Sequence, residues 1–71
     1  MPESVYKVIA LVGTSEESWE KAAAAAINQA SKSLRDIRVA SVVEQDIHIE
    51  PGRPHTFRVK LEVSFKYEGG D

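Results

Sequence analysis

The sequence predicts an α+β fold of order β-α-β-β, a three-stranded sheet of antiparallel type wrapped on one helix. Three observations predict it. Residues 5–12, VYKVIALV, are rich in β-branched side chains and apolar at both parities, as in a strand covered on both faces. Residues 19–34 carry apolar side chains at spacings of three and four, the period of a helix with one buried stripe. Residues 57–67 alternate apolar and polar without a break, the period of a strand with one face on a core.

Taken in order, the first strand is expected over 5–12 and is expected to stop at Gly13. Thr14 or Ser15 then supplies a helix N-cap, and Glu17, three residues after Thr14, completes a capping box. The stripe of the helix is Trp19, Ala23, Ala26, Ile27, Ala30 and Leu34, with Glu20, Lys21, Asn28, Lys32 and Arg35 lying elsewhere. The helix is expected to end near Arg35 and Asp36. Alanine dominates the stripe, so the helix can approach a sheet closely, over a thin interior anchored by Trp19, Ile27 and Leu34. Trp19 reads as a core side chain rather than a ring on which a ligand stacks.

The second strand is expected over about 38–50. It places Val39, Val43, Ile47 and Ile49 on one parity and Arg38, Glu44, Asp46, His48 and Glu50 on the other. In EPGRPH, residues 50–55, two prolines and a glycine cannot continue a ladder, so the chain reverses. The third strand begins near Phe57. Phe57, Val59, Leu61, Val63, Phe65 and Tyr67 share one face, and Arg58, Lys60, Glu62, Ser64 and Lys66 share the other. The closing EGGD reads as a frayed tail. A right-handed crossover makes the first and second strands parallel, and the hairpin inserts the third between them. One helix covers one sheet face, so the other face is expected to find cover in another subunit.

A chain of 71 residues is read as a single domain, 1–71. A domain of this size buries only about 60% of the surface its unfolded chain exposes. There is no cysteine to supply disulfides or thiolate metal ligands, which leaves oligomerisation as the first means of support. Nine basic against eleven acidic residues, a formal net charge of −2, is not the electrostatic footprint of a nucleic-acid binder. The apolar stretch at 22–27 is far shorter than the roughly 18 residues of a spanning helix, and MPESVYK has no signal-peptide core. The chain is therefore expected to be soluble and cytoplasmic, with no nucleic-acid or membrane partner.

No enzymatic chemistry is expected. Cysteine is absent, and neither histidine is placed as the partner of an activated serine. The hydroxyls of Thr14, Ser15 and Ser18 are accounted for by capping. His48 and His55, seven residues apart across the proline turn, lack metal-ligand spacing and read as surface residues. Gly13 stands alone before the helix and reads as punctuation, not as a phosphate cradle. The carboxylates carry more. Glu44, Asp46 and Glu50 share a strand face with His48, while Glu16 and Glu17 open the helix. For an isolated chain this is a solvated face plus complementarity to the helix dipole. Calcium, however, wants six to eight oxygens. One short strand cannot provide them, but carboxylates repeated around a symmetry axis can, with waters completing the set. A metal site here is expected between subunits.

The residues YKVIALVGTSEESWEKAAAAAINQA, RVASVVEQ and LEVSFKY, in this order and without insertions, resemble the dodecins, over nearly the whole chain. The resemblance implies a strand-helix-strand-strand protomer assembled into a hollow homododecamer. It also implies a non-enzymatic binding or storage role for a small ligand. Flavin-binding dodecins carry a tryptophan early in the second strand that stacks on the isoalloxazine ring; the matching position is Val39. They use a glutamine in the third strand at the flavin's pyrimidine edge, and the matching residue is Arg58, which can only donate. Ordinary flavin binding is thus disfavoured. The chain is closer to the calcium dodecins, which share RVA and lack that tryptophan. Glu17 matches a carboxylate that lines ion channels in dodecins, and Glu44 matches an acidic residue there. Glu17, Glu44 and, next, Asp46 are the candidate calcium ligands. The alternatives are a flavin-storing dodecin with a modified site and a purely structural assembly.

Overall fold

A computed structural model describes residues 3–66. It contains β1 (Tyr6–Ser15), α1 (Trp19–Ser31), β2 (Ile37–His48) and β3 (Thr56–Lys66). The strands form one sheet in the order β1-β3-β2, and β3 runs antiparallel to both neighbours. The first and second strands are therefore parallel with the third between them, as the crossover argument requires. Tyr67 and the EGGD tail lie outside the described residues.

Gly13 does not end β1. The strand runs two residues further, and the Gly13, Thr14 and Ser15 positions pair with Val59, Arg58 and Phe57. A continuous ladder partner outcompetes an early helix start for these backbone groups. The capping box proposed from Thr14 and Glu17 is accordingly not formed. Ser18 is the N-cap, with an extended backbone, and its hydroxyl accepts from the Lys21 N–H at 3.0 Å. Ser15 instead turns the link, its Oγ accepting from the Glu17 N–H at 3.0 Å.

The need for glycine at position 13 is steric. A Cβ there would stand 2.0 Å from the carbonyl oxygen of Ala22 and 3.0 Å from Cβ of Ala26. The helix backbone rests directly on the strand at this point. Ala22, Ala26 and Ala30, one side chain per turn, are buried, and Ala22 and Ala26 pack in one core cluster with Val59 and Leu61 of β3. The buried line of the helix is thus rotated from the expected stripe: Ala22 is fully buried, whereas Trp19, Ala23, Ile27 and Leu34 are half-buried at its margins. The contact over Gly13 sets this rotation.

The helix ends at Ser31, earlier than the expected Arg35 to Asp36. The Ala30 carbonyl accepts from the N–H groups of Ser33 and Leu34 at 3.0 and 2.8 Å, which tightens the last turn. Asp36 then takes the left-handed conformation, φ 58°, where aspartate is among the tolerated non-glycine residues. The β2–β3 turn falls where the prolines place it, with Gly52 at φ 77°.

Two register shifts interrupt β2, between Ile37 and Val39 and between Val42 and Glu44. Each inserts an extra residue and reverses the alternation. The second shift corrects the expected faces of this strand. Val39 pairs with Ser64, Glu44 with Lys60 and Asp46 with Arg58, all on the β3 face turned away from the helix. Val39 therefore shares a face with Glu44 and Asp46 instead of opposing them.

Candidate functional site

The face of the sheet opposite α1 is built of cross-strand rows, because residues paired in antiparallel ladders point the same way. One row is Thr14–Arg58–Asp46, the next Val12–Lys60–Glu44, then Ala10–Glu62–Ser41 and Val8–Ser64–Val39. Charged side chains fill the first two rows, and valines stand exposed beside and beyond them: Val12 at 60%, Val8 at 58% and Val39 at 56%. Val12, Glu44, Asp46, Arg58 and Lys60 line a shallow cleft of about 100 Å³.

Asp46 and Arg58 form the best-defined polar contact of this face. The guanidinium donates through Nε to Oδ1 at 2.7 Å and through Nη2 to Oδ2 at 2.9 Å, a two-pronged pair. These hydrogen bonds hold the Asp46 carboxyl below the usual carboxylate range against the opposing effect of desolvation. Reciprocally, Asp46 raises the Arg58 guanidinium above its ordinary value, with Glu44 adding in the same direction. Both side chains stay about half exposed. The backbone under Asp46 is tied to the helix start: the Trp19 indole N–H donates to the Asp46 carbonyl at 3.1 Å. The Trp19 ring meets Phe57 edge-on at 5.1 Å and 77°, and packs on the core as expected.

The candidate residues separate into two places. Glu44 and Asp46 are neighbours on the outer face, their Cα atoms about 7 Å apart at two residues' rise. Glu17 lies in the link before α1, exposed and ion-paired with Lys21 one turn on. Among the described residues no three His, Asp or Glu side chains converge to hold an ion within one chain. Val39 and Arg58 share the outer face, but their rows lie six residues apart along β3, about 20 Å. A single protomer does not bring them to one ligand.

The Asp46–Arg58 pair was not anticipated from the sequence. Its signal was present in the opposed charges of strands joined by a proline turn. The pairing could not be assigned without the bulge that sets which β2 residue faces Arg58.

A family model described as Dodecin matches residues 5–68. The chain belongs to the dodecin family. Among dodecins it is 57% identical over 63 residues to the calcium dodecin of Mycobacterium tuberculosis, covering 89% of each chain. It is 42% identical over 64 residues to the dodecin of Thermus thermophilus, covering 90% of this chain and 93% of that one. In three dimensions it is similar to the crystal structure of the Mycobacterium tuberculosis calcium dodecin, described as a calcium-chelating immunodominant antigen with a novel calcium-binding site. The TM-score is 0.84 at 53% identity, over 96% of this chain and 97% of that one. Among the described residues, no helix of this dodecin is long and apolar enough to cross a membrane.

Proposed function

We propose that this dodecin is a non-enzymatic homododecameric shell that binds and stores calcium at sites made between subunits, with Glu44, Asp46 and Glu17 as the carboxylate ligands. One observation carries the reading: the sheet face that holds Glu44 and Asp46 also leaves Val8, Val12 and Val39 bare. A second copy laid on those valines brings its own carboxylates within reach. Apolar burial of about 25 cal/mol per Å² rewards the contact, and the chain's small core leaves it in need of that burial.

Ligand chemistry supports the same arrangement. Calcium takes six to eight hard oxygens at 2.3–2.6 Å, and of the proposed ligands one protomer offers Glu44 and Asp46 on the outer face and Glu17 at the helix start. Repetition by symmetry reaches the number that a single chain does not. The 57% identity to a calcium dodecin agrees with this choice of ion.

Native mass spectrometry in calcium tests the reading. The expected result is a twelve-chain particle that retains calcium, accompanied by binding heat in calorimetry. A dominant monomer, or no heat above dilution, overturns it.

A further inference from the structure

Both oxygens of Asp46 already serve one cation. Building on the calcium reading above, we propose that Arg58 is a built-in competitor for the ion: its guanidinium holds both oxygens of Asp46, and a divalent cation gains Asp46 only as this fork releases.

The geometry argues for direct competition. Two of the roughly four lone-pair positions of the carboxylate are taken, at 2.7 and 2.9 Å. A calcium ion at 2.3–2.6 Å from either oxygen would stand against a guanidinium that does not deprotonate. Arg58 has little alternative anchorage. Its neighbour across the β1 ladder is Thr14, a neutral side chain. The nearest carboxylate along β2 is Glu44, which is opposite Lys60 and is itself a proposed calcium ligand. A cation taking both carboxylates removes both anions from around Arg58.

The device has a purpose in an assembling protein. Glu44 and Asp46 would otherwise be like charges about 7 Å apart on a face that must approach its copies. With Arg58 and Lys60 opposite them, the two rows carry balanced charge, so the face can be covered before any ion arrives. Calcium then exchanges for an internal counter-ion instead of filling a bare acidic patch, which lowers its affinity and makes release easy.

Calorimetric titration of calcium into the assembled protein and its variants tests this. Arg58→Gln is expected to bind calcium about fivefold more tightly, the ratio that corresponds to the upper end of what an exposed ion pair is worth. Arg58→Lys keeps the charge but loses the fork, and should move the same way by less. In an Asp46→Asn background the gain from Arg58→Gln should vanish. Calcium binding that is unchanged or weaker in both Arg58 variants overturns the competitor role and leaves the calcium reading standing. So does a gain that persists without Asp46, because it is then general electrostatics. If neither the unaltered protein nor any Arg58 variant gives binding heat, the calcium reading itself fails and this inference falls with it.

Discussion

At the residue scale, two side chains decide more than their size suggests. Gly13 has no Cβ because the carbonyl of Ala22 occupies the place where one would stand. The expected outcome of Gly13→Ala is a loss of about 1–3 kcal/mol, the ordinary cost of overpacking a close contact. Thermal melts at fixed protein concentration would measure it, and an unchanged melting temperature would contradict the contact. Asp46 is the second. Arg58 holds its carboxyl below the usual range. A carboxylate depressed in the folded state contributes stability above its unfolded value, and that contribution is lost as pH falls through the lower, folded one. The side-chain carbon signal of Asp46, followed by NMR, should therefore titrate below the ordinary aspartate range and return towards it in Arg58→Gln. The candidacy of Asp46 as a ligand came from the sequence, from its place among acidic residues on one strand. Its partner was not, because a cross-strand pair depends on register, which no local pattern specifies.

At the element scale, the long-range order of the fold was legible and the element ends were not. The unbroken alternation from Phe57 onward placed β3 and its buried face, since a period of two leaves one face for the core. The helix was equally visible, but its start was displaced to Ser18. Pairing with β3 gives the backbone of residues 13–15 a better partner than a first helical turn could. The bulge near Val43 left no readable mark, and it alone moves Val39 to the outer face. That relocation gives a test of the face. Riboflavin titrated into the unaltered protein should keep most of its fluorescence, because an aliphatic side chain at position 39 offers no indole to stack on and quench it. Val39→Trp places an indole on the exposed face, worth about 0.5–1.5 kcal/mol of ring stacking beyond area burial, and should quench riboflavin measurably. Stoichiometric quenching by the unaltered protein would contradict the loss of the stacking platform. A silent Val39→Trp would place the obstacle at Arg58, two of whose donors are engaged by Asp46.

At the scale of the whole molecule, the described chain is 54 Å long and only 21 by 16 Å across, a thin body whose helix covers β1 and β3 and barely reaches β2. Val42 and Ile47 are left exposed on the helix side of β2, as Val8, Val12 and Val39 are on the other face. On the assembly proposed above, folding and assembly should be one event. Anything that binds the assembled state and not the unfolded chain stabilises it by mass action, by about 2.7 kcal/mol at a hundredfold excess over the dissociation constant. On the calcium reading proposed above, calcium should accordingly raise the melting temperature. The rise should shrink in Glu44→Gln, Asp46→Asn and Glu17→Gln, and magnesium should produce a smaller rise, since it demands near-ideal octahedral geometry and sheds water reluctantly. Because Glu17 stands apart from the sheet face in the protomer, its substitution distinguishes two arrangements. An effect additive with Glu44→Gln means separate ion sites at the helix start and on the sheet, whereas a double variant no worse than either single one means that neighbouring subunits bring the two carboxylates to one ion. Melting shifts that survive all three substitutions would remove these carboxylates from the calcium site altogether.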